Sequence, residues 1–230
     1  MFVLTELESE AILISLKVAF WSMLLSLPIA IAIAWILARK RFFGHAILNA
    51  FVHLPLVMPP VVVGYLLLLL LGRNGLIGEW LWDTLGISIA FSWRGAVVAS
   101  SVMAFPLMVR AIRLSLESID IRLESTARTL GASPLWVFIS ISLPLLVPGI
   151  LTGSMLGFAR SFGEFGATIT LVSNIPGETR TLPIALYGAT QLPEGDGMAL
   201  RLLIFSVIIA LLALFASEIL ARRAQRRWKR

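Results

Sequence analysis

The chain has 230 residues, 58% hydrophobic and only 14% charged, with a formal net charge of +6. An ordinary soluble domain carries about 25% charged residues, so the composition excludes one and indicates a polytopic membrane protein. The absence of cysteine excludes a disulfide framework and a thiolate metal site.

The N-terminal stretch MFVLTELESE carries Glu6, Glu8 and Glu10 and no basic residue before Lys17, the wrong pattern for a cleaved signal peptide. A first span is expected within 18–38, uncharged throughout, kinked at Pro28 and closed by Arg39, Lys40 and Arg41. A second lies within 46–72. Pro55, Pro59 and Pro60 crowd its first half, and six leucines fill 66–71. Three prolines would leave carbonyls unpaired in lipid, so this span should be bent or broken and face protein or a cavity. It is either the wall or gate of a pathway, with Pro59 and Pro60 at its bend, or a kinked packing helix.

Residues 73–92 read as a connection, with Trp80, Trp82 and Trp93 suited to a headgroup belt. The third span, about 93–112, has Arg94 and Arg110 snorkelling at its two ends. The segment 120–144 then reads helix, stop, helix. Leu116, Ile119, Leu123, Ala127 and Leu130 step by three or four along one helix face. Gly131 sits where a left-handed residue would end that helix. Ser133 and Pro134 supply an N-cap and a first-turn residue for a second helix. The fourth span, about 145–163, repeats Gly149, Gly153 and Gly157 every four residues, a face for close helix packing. A second connection, 168–196, contains an apolar piece at 182–189 too short to cross, an interfacial or re-entrant helix. The fifth span is about 202–220, and a basic tail comes after it.

With five spans, thirteen of the nineteen Lys and Arg fall on one side: Arg39, Lys40, Arg41, Arg110, Arg113, Arg122, Arg128, Arg222, Arg223, Arg226, Arg227, Lys229 and Arg230. The basic side is cytoplasmic. The N-terminus is therefore outside, the C-terminus inside, and the helix-glycine-helix loop cytoplasmic. These cations mark span ends rather than a nucleic-acid surface. The expected architecture is one all-α transmembrane domain over 1–230, with its core at about 11–220 and a cytoplasmic loop at about 116–143.

No G-x-x-x-x-G-K-[ST] occurs, so ATP hydrolysis by this chain is not expected. His45 and His53 lack partners at metal-ligand spacing and read as structural; no serine sits in a nucleophile elbow. The one ionisable pair near the membrane interior is Arg160 and Glu164, four apart and expected on one helix face. It is either part of a pathway or an ion pair at the outer rim that fixes helix rotation.

The stretch 126–144, TARTLGASPLWVFISISLP, resembles the EAA loop of binding-protein-dependent ABC importer permeases. That pattern has a glycine, nine intervening residues, then Ile-x-Leu-Pro, which Gly131, Ile141, Leu143 and Pro144 fit. The Glu-Ala-Ala start falls on Ser125, Thr126 and Ala127, of which Ala127 matches, with Glu124 one residue earlier. In this family the loop is a coupling helix that docks on a separate ATPase subunit. The resemblance thus assigns coupling to Glu124, Ser125, Ala127, Gly131, Ala132, Ser133 and Pro134. The stretch 159–183, ARSFGEFGATITLVSNIPGETRTLP, is similar to molybdate permease subunits; sulfate permeases carry a related GEFG segment but are usually longer.

The resemblance implies a type I importer permease in the plasma membrane (the inner membrane of a Gram-negative cell), working as two copies with two ATP-binding cassette subunits and an extracytoplasmic oxyanion-binding protein. This chain would bind no cofactor; ATP and Mg would be used by the partner subunit. Donors such as Ser161, Thr168 and Thr170, with Arg160 partly offset by Glu164, would give an oxyanion weak, transient stabilisation along the path. Arg94, Arg180 and Arg201, facing outward, would dock the binding protein or bias anions toward the mouth. Sulfate or tungstate is the alternative cargo, and an ATP-independent channel or secondary transporter the alternative class.

Overall fold

The computed structural model describes residues 4–228, with the side chains of 216–218 and of residues from 220 on outside the description. The side chains of the basic tail, Arg222 to Arg230, are therefore outside it as well. Among the described residues the regular structure is helical, with no strand. Helix α1 (Glu6–Arg39), α5 (Trp93–Glu117), the continuous helical stretch Pro134–Phe162 and the Asp196–Phe215 part of α11 (Asp196–Trp228) are each long and apolar enough to cross a membrane. The broken pair α2 (His45–Val57) and α3 (Pro60–Leu71) makes a fifth candidate span.

The break in that pair follows from its prolines. Pro59 has no N–H to continue α2, and Pro60 starts α3 at the first helical position, where its ring is tolerated. The two axes meet at 113°. Two core clusters show that the pair nevertheless runs from one level to the other. Val52 of α2 packs with Ala34, Leu37, Val109, Ile112 and Leu116, the cytoplasmic halves of α1 and α5. Val63 of α3 packs with Val18, Ala96 and Val97, their outer halves.

Helix α1 is longer than the uncharged stretch suggested. Its 34 residues span about 51 Å, against about 30 Å of hydrocarbon, so its first turns project outward. A capping box starts it: Glu8 accepts from Thr5 N at 2.7 Å and Thr5 Oγ1 accepts from Glu8 N at 3.4 Å. The second carboxylate oxygen of buried Glu8 accepts from Arg201 of α11 at 2.9 Å, joining the outer ends of two spans. Ser15 Oγ accepts from Leu182 N at 2.6 Å, so α1 also holds α10 (Leu182–Thr190), the short apolar helix.

The connection 73–92 is not irregular throughout. It folds α4 (Leu76–Leu85), which ends at the left-handed Gly86. Gly75 and Gly78 allow α4 to fold back on α3, because a Cβ at Gly78 would lie 2.0 Å from Gly72 O.

The glycine repeat of α8 (Leu143–Phe162) meets α5 along its length. Added Cβ atoms would lie 2.2 Å from Ser115 Cβ at Gly149, 2.9 Å from Ile112 Cγ1 at Gly153 and 2.5 Å from Met108 Sδ at Gly157. The backbones approach closely because nothing projects between them. Gly153→Leu is expected to cost about 1–3 kcal/mol by overpacking and to lower the thermal midpoint of the purified protein. Gly163→Ala is the control, since a Cβ there meets only Ala159 O at 3.8 Å.

Candidate functional site

The cytoplasmic loop is built as two short helices around Gly131. Asp120 caps α6 (Ile121–Thr129) by accepting from Arg122 N at 2.9 Å. That cap corrects the expected helix face. Leu116 belongs to α5 and is fully buried, Ile119 lies in the turn between, and only Leu123, Ala127 and Leu130 share α6 or its end. Helix α6 closes in a Schellman motif: Gly131 N donates to Arg128 O at 3.0 Å and Ala132 N to Ala127 O at 3.1 Å, with Gly131 at φ +91°. Ser133 Oγ then accepts from Trp136 N at 3.3 Å and Pro134 opens α7 (Pro134–Val137).

Helix α7 runs through a π-helical turn, Phe138–Ser142, into α8, so the second helix of the loop and the fourth span are one helical rod. A π turn widens the helix by one residue and re-aims the side chains beyond it. Here it brings Ser142 Oγ to within 3.0 Å of Glu124 Oε1. The same oxygen accepts from Arg39 Nε at 3.1 Å and Nη2 at 2.9 Å, and Arg39 also reaches Ile119 O at 3.4 Å. Both side chains of the pair are only 9% exposed. Glu124 thus ties the loop to the end of α1 and to the root of α8. Ser125 faces outward, its hydroxyl bonded to Arg122 O at 3.0 Å. Around Gly131 the surface is apolar and open: Leu130 is 84% and Trp136 55% exposed. They flank a hollow of about 540 Å³ with Ala127, Ala132 and Ser133 on its walls.

The second constellation is at the outer end of α8. Arg160 and Glu164 form an ion pair, but α8 ends at Phe162, so they flank a helix end rather than share a face. The carboxylate is 1% exposed and the guanidinium 27%. Glu164 Oε1 also accepts from Ala167 N at 2.8 Å, holding the first turn of α9 (Gly166–Val172). Helix α9 packs backbone against α3: a Cβ at Gly64 would lie 2.5 Å from Ala167 O, and one at Gly166 would lie 2.8 Å from Pro60 Cβ. The break at Pro59 and Pro60 therefore meets the break after Phe162.

The hydroxyls expected along a path are bonded within the protein. Thr168 is buried and donates to Phe165 O at 2.8 Å; Thr170 donates to Gly166 O at 2.8 Å. Ser161 is buried in a hydroxyl chain that the sequence did not single out. Ser101 Oγ lies 3.1 Å from Ser22 Oγ, which lies 2.9 Å from Ser161 Oγ, joining α5, α1 and α8. Of the outward arginines, Arg94 is exposed, Arg180 is bonded to Asn174 Oδ1 at 2.7 Å, and Arg201 is held by Glu8. His45 and His53 bond backbone carbonyls, Leu37 O at 2.9 Å and Asn49 O at 2.8 Å, which is a structural use.

Arg39 and Ser142 are the functional candidates that sequence reasoning missed. Arg39 lies 85 residues from Glu124 and entered only as one of a basic triplet. Nothing in the spacing marks the two as partners.

Comparison with known proteins places the chain in a family. The family described as "Binding-protein-dependent transport system inner membrane component" matches residues 26–226. The chain is 57% identical over 96% of both chains to the molybdenum transport system permease protein ModB of Haemophilus influenzae (strain ATCC 51907 / DSM 11121 / KW20 / Rd). It is 58% identical over 98% of both chains to that of Escherichia coli (strain K12), and 36% identical to the sulfate transport system permease protein CysT of Escherichia coli (strain K12), over 93% of this chain and 76% of that one. Among solved structures, a bacterial ABC transporter involved in alginate import superposes with a TM-score of 0.76 at 22% identity, covering 96% of this chain and 80% of that one. The MetNI methionine ABC transporter also gives 0.76, at 17% identity, covering 96% and 99%.

Proposed function

The chain belongs to the binding-protein-dependent transport system inner membrane components, and from that premise we propose that it carries molybdate across the inner membrane in an ATP-driven importer. It is a transporter subunit and not an enzyme. The observation that carries the cargo assignment is the 57–58% identity to molybdenum permeases along nearly the whole chain, against 36% to the sulfate permease.

The coupling is built on the loop. Two copies of the chain pair, with the path between them. Each presents its Gly131 loop to an ATP-binding cassette subunit, where Leu130 and Trp136 supply apolar contact. ATP and Mg are used there and not on this chain. When the ATPase pair closes on ATP, the loop moves with it. Because α7, the π turn and α8 are one rod, and Glu124 joins that rod to α1, both helices move together between inward-open and outward-open states. An extracytoplasmic binding protein delivers the oxyanion, with exposed Arg94 on its docking side.

Arg160 is partly exposed beside the meeting point of the two helix breaks. Arg160→Gln is expected to lower oxyanion uptake several-fold while the complex still assembles; assembly failing first would make the ion pair purely structural. The cargo assignment is tested by uptake of labelled molybdate in cells lacking their own molybdate permease, with competing sulfate and tungstate. Uptake that excess sulfate leaves unchanged supports molybdate; abolition by sulfate at equal concentration overturns it in favour of sulfate.

A further inference from the structure

Arg110 sits toward the cytoplasmic end of α5, on the side of that helix that borders a groove. It is exposed, and no hydrogen bond or ion pair is formed by its guanidinium among the described residues. Its neighbour Arg113 contrasts with it, held by Glu117 at 2.7 Å and Asn49 at 3.0 Å. An unpaired cation on a membrane helix is costly against lipid and is found facing protein, water or a headgroup.

The surroundings of Arg110 are a groove of about 470 Å³ between α5 and α8, with Ser115, Gly149, Thr152 and Leu156 among its lining residues. At Gly149 the two helices touch, since a Cβ there would lie 2.2 Å from Ser115 Cβ, and the groove runs beside that contact. Helix α1 packs along α5 and α8 and presents Phe20, Trp21, Leu24 and Ile29 outward as an apolar face. Thr152, Leu156 and Ala159 continue the exposed stripe of α8 from the groove toward Arg160. The helix between Thr152 and Arg160 rises about 12 Å.

We infer that this groove lines the cytoplasmic half of the anion path between the two copies, with Arg110 as a shallow binding site for a tetrahedral oxyanion dianion on its way out. The inference rests on the importer reading above and adds a second cation to it. A single unpaired guanidinium beside Ser115 and Thr152, whose hydroxyl donates to Pro148 O at 2.9 Å, attracts a dianion by charge without enclosing it, which suits release into the cytoplasm. Arg160, compensated by Glu164, stands at the outer end of the same stripe and Arg110 at the inner end.

The chain has no cysteine, so one introduced thiol reports on the groove directly. Thr152→Cys in the assembled complex is treated from the cytoplasmic side with a sulfonate-bearing or a trimethylammonium-bearing methanethiosulfonate, and labelling of this chain is followed by mass. The sulfonate reagent is expected to react faster, and adding Arg110→Gln should reduce that preference about fivefold or more. No labelling, or a charge preference that ignores Arg110, overturns the inference. Uptake gives the second arm: Arg110→Gln is expected to lower molybdate uptake about tenfold, with Arg110→Lys retaining most of it. Equal loss of assembled complex in both variants would make Arg110 structural and overturn the inference. If the wild-type complex carries no molybdate at all, the cargo assignment fails while the labelling result still decides whether the groove attracts anions.

Discussion

Glu124→Ala should leave the complex able to hydrolyse ATP but cut substrate uptake by on the order of tenfold or more, because the substitution strands Arg39. Both side chains of the pair are 9% exposed, and removing one partner of a buried pair costs about 3–5 kcal/mol. The carboxylate also holds Ser142 at the π turn, so one substitution frees α6 from α1 and from α8 together. Glu124→Gln keeps an acceptor for Ser142 and should lose less. The charge swap Arg39→Glu with Glu124→Arg should restore part of the uptake, which loss of packing alone would not allow. The readout is the ratio of molybdate imported to ATP hydrolysed, measured on the same preparation. A normal ratio in Glu124→Ala would show that the tie between α1 and the loop carries no motion.

Gly131→Val is expected to have a comparable effect by another route. No atom lies within 4 Å of the position its Cβ would take, so no clash arises. The change is in the backbone: φ is +91°, and a β-branched residue held there costs about 1–3 kcal/mol. The Schellman bonds from Gly131 and Ala132 would be lost as the turn relaxes, and Leu130 and Trp136 would no longer present one surface. Uptake should fall on the order of tenfold with ATP hydrolysis persisting, while Gly131→Asn, which tolerates the left-handed region, should stay near the parent. Wild-type uptake by Gly131→Val would show that the loop needs no left-handed hinge.

The loop was legible because its punctuation is local. Gly131, Ser133 and Pro134 each act within a turn or two, and the observed caps fall on them. The start of the loop was misjudged because Leu116 and Ile119 continue the three-and-four step across a break. Asp120 was the available signal, as a cap residue in mid-pattern. The glycine face of α8 was legible for the same reason as the caps: its period is fixed by the helix itself. The prolines likewise announced a break in the second span, although not its angle.

Long-range pairing was not legible. Glu8 and Arg201 are 193 residues apart and Arg39 and Glu124 are 85 apart; Glu8 read as one of three N-terminal acids, Arg201 as a docking cation, Arg39 as one of a basic triplet and Glu124 as a coupling residue, with nothing to pair them. Arg160 and Glu164 could be paired from spacing, yet the spacing hid the helix end between them and the hold of Glu164 on α9. Ser161, Thr168 and Thr170 looked available for an anion, and the fold uses all three internally. Arg110, read only as a span-end charge, is a side chain without a partner among the described residues, in a groove.

Molybdate should move through this chain only when a separate ATPase drives it. The direct test is uptake into liposomes holding the chain, its ATP-binding cassette partner and the binding protein, with ion gradients kept and ATP present or absent. Molybdate is expected to accumulate only when ATP, the partner and the binding protein are present together. Accumulation by the chain alone, driven by an ion gradient without ATP, would contradict a coupling loop that works through an ATPase.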